Sequence, residues 1–117
     1  MKIQTDLGTV EILPDVFTSI SGWAANNCFG VKGMASRSVS DGFVYLLRRE
    51  NLAKGVKVSF SPEGTVSVEL HIVVEHGVNI PAASRSIIAE VRYLVEKTTG
   101  VPVDNVEVCV DSIMAGR

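Results

Sequence analysis

Residues 65–91 read TVSVELHIVVEHGVNIPAASRSIIAEV, and the period of their apolar residues changes midway. Up to Glu75 the period is two: Val66, Val68, Leu70, Ile72 and Val74 share one face of a strand, because successive strand side chains point to opposite sides. From Pro81 the period is helical. Ile87, Val91, Leu94 with Val95, and Thr98 form a stripe, with Arg85, Glu90, Arg92, Glu96 and Lys97 mainly off it. Between the two, Gly77 permits a tight exit from the strand, Asn79 or Ile80 lies at the helix cap, and Pro81 suits the first helical turn. The stretch is therefore a strand handing over to a helix.

The neighbours on either side extend the pattern. Upstream, Val56, Val58 and Phe60 alternate with Lys57 and Ser59, and Ser61-Pro62-Glu63-Gly64 is a turn, so this strand and the next form an antiparallel hairpin. Downstream, Gly100 ends the helix with Pro102 just beyond it, and Val106, Val108 and Val110 alternate with Glu107, Cys109 and Asp111 in a last strand. Near the start, Pro14 and Asp15 open a helix over about 14–28, with a stripe of Val16, Ile20, Trp23 with Ala24, and Asn27 with Cys28; Gly30 stops it. The opening IQTDLGTVEI reads as a hairpin or bent strand that offers Ile3, Val10 and Ile12 for burial. Between Gly30 and Gly55 the glycines and serines predict loop first, then a short helix capped by Asp41 that carries Phe43, Val44, Leu46 and Leu47. The order β-α-β-β-α-β predicts an α+β fold: a small antiparallel or mixed sheet with two main helices on one face. Residues 1–117 fit a single domain.

With 46% hydrophobic and 21% charged residues the chain is globular in composition. Its longest apolar runs fall far short of the roughly 20 residues a membrane-spanning helix needs, and its opening lacks the apolar block of an export signal. A cytoplasmic location is expected. Cys28 and Cys109 have no CxxC spacing, which fits two free thiols in a reducing compartment. The net charge of −2 is unevenly spread: Lys32, Arg37, Arg48, Arg49, Lys54 and Lys57 face only Asp41 and Glu50 between residues 31 and 57.

Glu69 and His71 project from the strand face opposite the valine stripe, together with Val73 and Glu75. Carboxylates and an imidazole bind divalent ions, but a convincing site needs a further ligand at a fixed position, such as another histidine or a cysteine. Without HxxxH or HExxH spacing the sequence predicts no metal site, and without an activated nucleophile it predicts no catalytic residues. Neither GxxxxGK[ST] nor GxGxxG occurs, so no cofactor is expected. Nucleic acid is an unfavoured partner, because the sheet lacks alternating stacking aromatics and Gly30-Val-Lys-Gly33 is a loose likeness of a GxxG clamp.

A family resemblance spans most of the chain, residues 34–54 excepted. Residues 55–113, and above all IVVEHGVNIP with the helix tail VEKTTGVPVDNVEV, closely resemble the alkaline shock protein family of small envelope stress response proteins, found largely in Gram-positive bacteria. The front part, GTVEILPDVFTSISGWAANNCFGVKGM, is similar to that family's usual start. Departures are His76, where the family usually has tyrosine, and Gly22, Trp23 and Asn26-Asn27 in the first helix, where alanines and an acid are more usual. The resemblance implies a non-enzymatic protein, with some relatives held at the membrane by a partner and short relatives often encoded near a kinase of the dihydroxyacetone or fatty acid type.

The expected function is accordingly a protein-binding module: an envelope or alkaline stress scaffold or accessory protein, homo-oligomeric, cytoplasmic or peripheral at the inner face of the membrane through a partner. The contact candidates are Glu75, His76, Gly77, Asn79 and Pro81 at the strand-to-helix corner, with Arg48 and Arg49 in the basic segment. The alternatives are a small RNA-binding module using residues 32–57 and an accessory subunit of a neighbouring kinase.

Overall fold

The computed structural model describes residues 1–37, 44–47 and 49–115. At its centre is β6 (Val66–Glu75), the strand with the period-two apolar face, which carries partners on both edges. Along one edge runs β7 (Val103–Met114), parallel to it over its whole length. Along the other lie two antiparallel strands end to end: β5 (Val56–Phe60) opposite Val66–Leu70, and β3 (Val31–Arg37) opposite Ile72–Val74. β4 (Val44–Leu46) pairs with β3 at the sheet's margin. The sheet is mixed, as the α+β reading expects.

The helices α1 (Pro14–Asn26) and α2 (Ile80–Thr99) pack on the even-numbered face of β6, where Val66, Val68, Leu70, Ile72 and Val74 are buried. α2 begins as predicted: Asn79 caps it by accepting a hydrogen bond from Ala82 N–H at 3.0 Å, and Pro81 lies in its first turn. Gly100 ends it in the left-handed conformation, φ +75. The crossover to β7 is then clamped by two α2 side chains one turn apart. The Arg92 guanidinium donates to the Val103 carbonyl, and Val103 N–H donates to the Glu96 carboxylate at 2.9 Å. The hairpin turn before β6 also forms as read, with Ser61 and Thr65 hydroxyls 2.6 Å apart.

Several expectations are corrected. Residues 31–37, read as loop, form β3; Gly33 serves there because Leu46 of β4 lies over it, and a Cβ would stand 2.8 Å from Leu46 Cδ1. Val44–Leu46, read as part of a short helix, is β4, a strand because β3 offers it a free edge; Asp41 and Phe43 fall outside the described residues. The α1 face is rotated. Ala24 of the predicted stripe is buried and Ile20 and Cys28 pack against the core, but Phe17, Ser21, Gly22 and Ala25 are buried too, whereas Val16 and Trp23 are exposed; a 3₁₀ segment (Arg49–Gly55) presses against Gly22 and leaves no room there for a Cβ. Val73, placed with Glu69 and His71 on the polar face, is fully buried opposite Gly33.

The first strand is a separate hairpin, β1 (Lys2–Thr5) and β2 (Gly8–Glu11), off the main sheet. It touches the core through Ile3, with Met1 before it and Ile12 after it, while Val10 is exposed.

Candidate functional site

Two surfaces carry side chains that core packing does not explain. The first follows the outer side of the helices. Since α1 turns its small residues inward, Trp23 is left 55% exposed. The turn after α1 then lifts Phe29 into solvent at 91% exposure. Gly30 makes that turn possible: its φ is +86, and a Cβ would stand 2.5 Å from Val78 Cγ2.

Three shallow recesses meet at Phe29. One of about 270 Å³ is shared with Glu75, His76, Gly77 and Asn79. A second, about 190 Å³, lies against Val78 and Ala82, and a third, about 340 Å³, is bordered by Trp23, Cys28 and Glu90. Trp23 also walls an apolar groove of about 400 Å³ with Ile20 and Leu94. Together they make a seam along α1, α2 and the corner, with two exposed aromatic rings standing in it. Its charged rim is acidic, Glu75 and Glu90, beside His76.

The structure thus brings four of the predicted contact residues, Glu75, His76, Gly77 and Asn79, to one recess. Backbone bonds fix their corner: Glu75 N–H donates to the Gly30 carbonyl and His76 N–H to that of Met114, both at 2.9 Å. Pro81 is exposed in the first turn of α2 and lines none of these recesses. Arg49 begins the 3₁₀ segment, away from the corner in the chain, and Arg48 lies outside the described residues. Phe29 was missed from sequence. The available signal was an aromatic wedged between Cys28 and Gly30, outside any apolar stripe.

The second surface is the sheet face away from the helices. His71 stands there between two carboxylates, Nε2 lying 2.6 Å from Glu69 Oε2 and Nδ1 3.0 Å from Asp111 Oδ2. The parallel register sets Cys109 directly beside His71. Asp111 gains its position from a register shift: Ile72 pairs with Val110 and Val73 with Ser112, leaving Asp111 as the extra residue of β7. Burial first, then the charges of Glu107, Glu69 and Asp111, push the Cys109 thiol up, with Lys57 opposing them. The Cys28 thiol is raised by burial and by Glu90. Both are free cysteines held as thiols at neutral pH, unlike the low-pKa cysteines of nucleophilic sites.

A model of the alkaline shock protein 23 family, of cell envelope-related function, matches residues 2–115. The chain belongs to this family. The alkaline shock resemblance read around IVVEHGVNIP therefore extends over nearly the whole chain, including residues 34–54. Among its relatives in the family, an uncharacterized protein of Streptococcus pyogenes serotype M6, Spy1614, is 40% identical over 114 residues, covering 97% of this chain and 93% of the relative. The uncharacterized protein YloU of Bacillus subtilis strain 168 is 32% identical over 114 residues, covering 97% and 94%. A second B. subtilis protein, YqhY, is 32% identical over 104 residues, covering 89% and 76%. No solved structure matches the chain.

Proposed function

We propose that this alkaline shock family protein is a non-enzymatic docking module of the cell envelope, whose helix-side seam binds an apolar segment of a membrane-anchored protein. The observation that carries the reading is the pair of exposed rings, Trp23 and Phe29, rising from connected recesses on an otherwise ordinary small domain. Exposed aromatics flanked by grooves are what protein contacts use, since burying such a ring is worth about 1.5–3 kcal/mol. The family's function is envelope-related, and among the described residues no helix is long and apolar enough to cross a membrane. Attachment through a partner reconciles the two. The rim also selects the partner's charge: Glu75 and Glu90 favour an apolar segment flanked by lysine or arginine, the pattern found beside membrane spans on their cytoplasmic side.

The test is fractionation of cells producing either the wild-type chain or the double variant Trp23→Ser/Phe29→Ser, with a photo-crosslinking residue placed at Ser86 in the seam or at Leu7 as control. The reading expects the wild type to sediment with membranes and to crosslink from Ser86 to a membrane-anchored protein. The double variant remains folded but is released. A double variant that still sediments like the wild type, or identical crosslinks from Leu7, rejects the seam as the docking surface.

A further inference from the structure

From the open face of the sheet we infer a divalent metal site, independent of the seam, in which Glu69, His71 and Cys109 bind Zn²⁺ and Asp111 orients the histidine. Cys109 supplies the additional ligand that the sequence alone could not place. It lies far from His71 in the chain, and only the parallel pairing of β6 with β7 sets the two side by side. The carboxylate, imidazole and thiol atoms lie within 4.8 Å of one another. In a tetrahedral zinc site, bonds of about 2.0 Å to nitrogen and oxygen and about 2.3 Å to sulfur put the ligand atoms roughly 3.3–3.5 Å apart. Small side-chain rotations on two rigid strands reach that spacing, with water completing the fourth position.

The hydrogen bonding of His71 points the same way. Asp111 Oδ2 lies 3.0 Å from Nδ1; with the proton on Nδ1, this is the arrangement in which a carboxylate fixes the tautomer of a metal-binding histidine and leaves the Nε2 lone pair for the ion. In that tautomer Nε2 has no proton to donate, yet it faces Glu69 Oε2 at 2.6 Å. Two lone pairs at that distance repel unless something positive stands between them. A Zn²⁺ bound by both atoms relieves that repulsion by opening the contact from 2.6 Å to the roughly 3.3 Å of a tetrahedral pair, and the adjacent thiol adds a further ligand.

The surrounding charges suit a dication. Glu69 and His71 on β6 face Glu107, Cys109 and Asp111 on β7, and Lys57 on β5 is the one cation that acts on Cys109 among the described residues. The acids beside Cys109 attract Zn²⁺, and the bound ion displaces the thiol proton. Binding thus converts Cys109 S–H to a zinc thiolate and releases one proton, with no change of oxidation state. A carboxylate and a thiolate together neutralise the ion's charge.

The experiment uses the full chain without a histidine tag, stripped of metal and titrated with Co²⁺ as a coloured stand-in for Zn²⁺. One equivalent is expected to produce thiolate-to-cobalt absorption, which Zn²⁺ then removes. Cys109→Ser and His71→Gln should abolish the band, and Cys28→Ser should preserve it. Asp111→Asn should keep the stoichiometry but weaken binding about tenfold or more. Urea unfolding in the presence of a chelator establishes that each variant folds; Glu69→Gln, also expected to weaken binding, replaces any that does not. The inference fails if the wild type gives no thiolate band, if the band survives Cys109→Ser, or if Asp111→Asn binds as tightly as the wild type. The first result leaves Glu69, His71 and Asp111 as a hydrogen-bonded array without a metal.

Discussion

Gly77 leaves β6 at φ +91, and nothing lies within 4 Å of the place a Cβ would occupy. Its requirement is therefore conformational and not steric, which separates it from Gly30, where the backbone angle and contact with Val78 both exclude a side chain. Gly77→Ala is expected to cost about 1–2 kcal/mol of stability, and Gly77→Val somewhat more because branching at Cβ resists positive φ. Urea denaturation gives the difference, and a Gly77→Val protein as stable as the wild type would contradict the assignment. The same corner shows how a residue is read twice. Asn79 is a contact candidate, but its side-chain oxygen is already engaged with Ala82 N–H, so it presents mainly its amide nitrogen to a partner.

α1 illustrates where an element departs from its own sequence pattern. A Cβ on Gly22 would stand 2.9 Å from the Leu52 carbonyl oxygen, so the 3₁₀ segment approaches the helix more closely than any other residue type allows. Gly22→Ala gains about 1 kcal/mol of helix propensity. Pushing two backbones apart costs about 1–3 kcal/mol. Net destabilisation of about 1 kcal/mol is the expected outcome by thermal or urea unfolding; a stabilised variant would mean that the 3₁₀ segment yields freely. The helix stripe of Val16, Ile20, Trp23 with Ala24, and Asn27 with Cys28 was legible in part: Ala24 is buried and Ile20 and Cys28 pack against the core, but the buried face is turned toward Phe17 and Ser21, because period alone does not fix which side of a helix meets the sheet. β5, β6, α2 and the middle of β7 were legible for the opposite reason: each has an apolar face that the sequence period picks out. β3 was not, since Gly33, small because Leu46 lies over it, looks like loop together with Ser36, and β4 was not, because three residues are too short to show a period. The corner could be found locally, whereas the Cys109–His71 juxtaposition depends on a parallel register that no local signal specifies.

At the scale of the molecule, one sheet separates two kinds of surface, an aromatic seam over the helices and an acidic, histidine-bearing face on the other side. Each face holds one cysteine, Cys28 beside Trp23 and Cys109 beside His71. Both thiols titrate above their ordinary range, through burial first and nearby carboxylates second. The sign of the linkage follows. Where the unfolded chain has released a thiol proton and the folded chain still holds it, raising the pH favours unfolding. This contribution is fully present below the unfolded thiol value, about 8.5, and is lost as pH rises through the higher folded values. Stability of the metal-free chain should therefore fall from about pH 8 to pH 10, and fall less steeply in Cys28→Ala/Cys109→Ala, where that linkage is absent. Urea unfolding at successive pH values in chelator isolates the effect, because lysines and tyrosines titrate in both proteins. Parallel declines would show that the two thiols do not couple folding to alkaline pH.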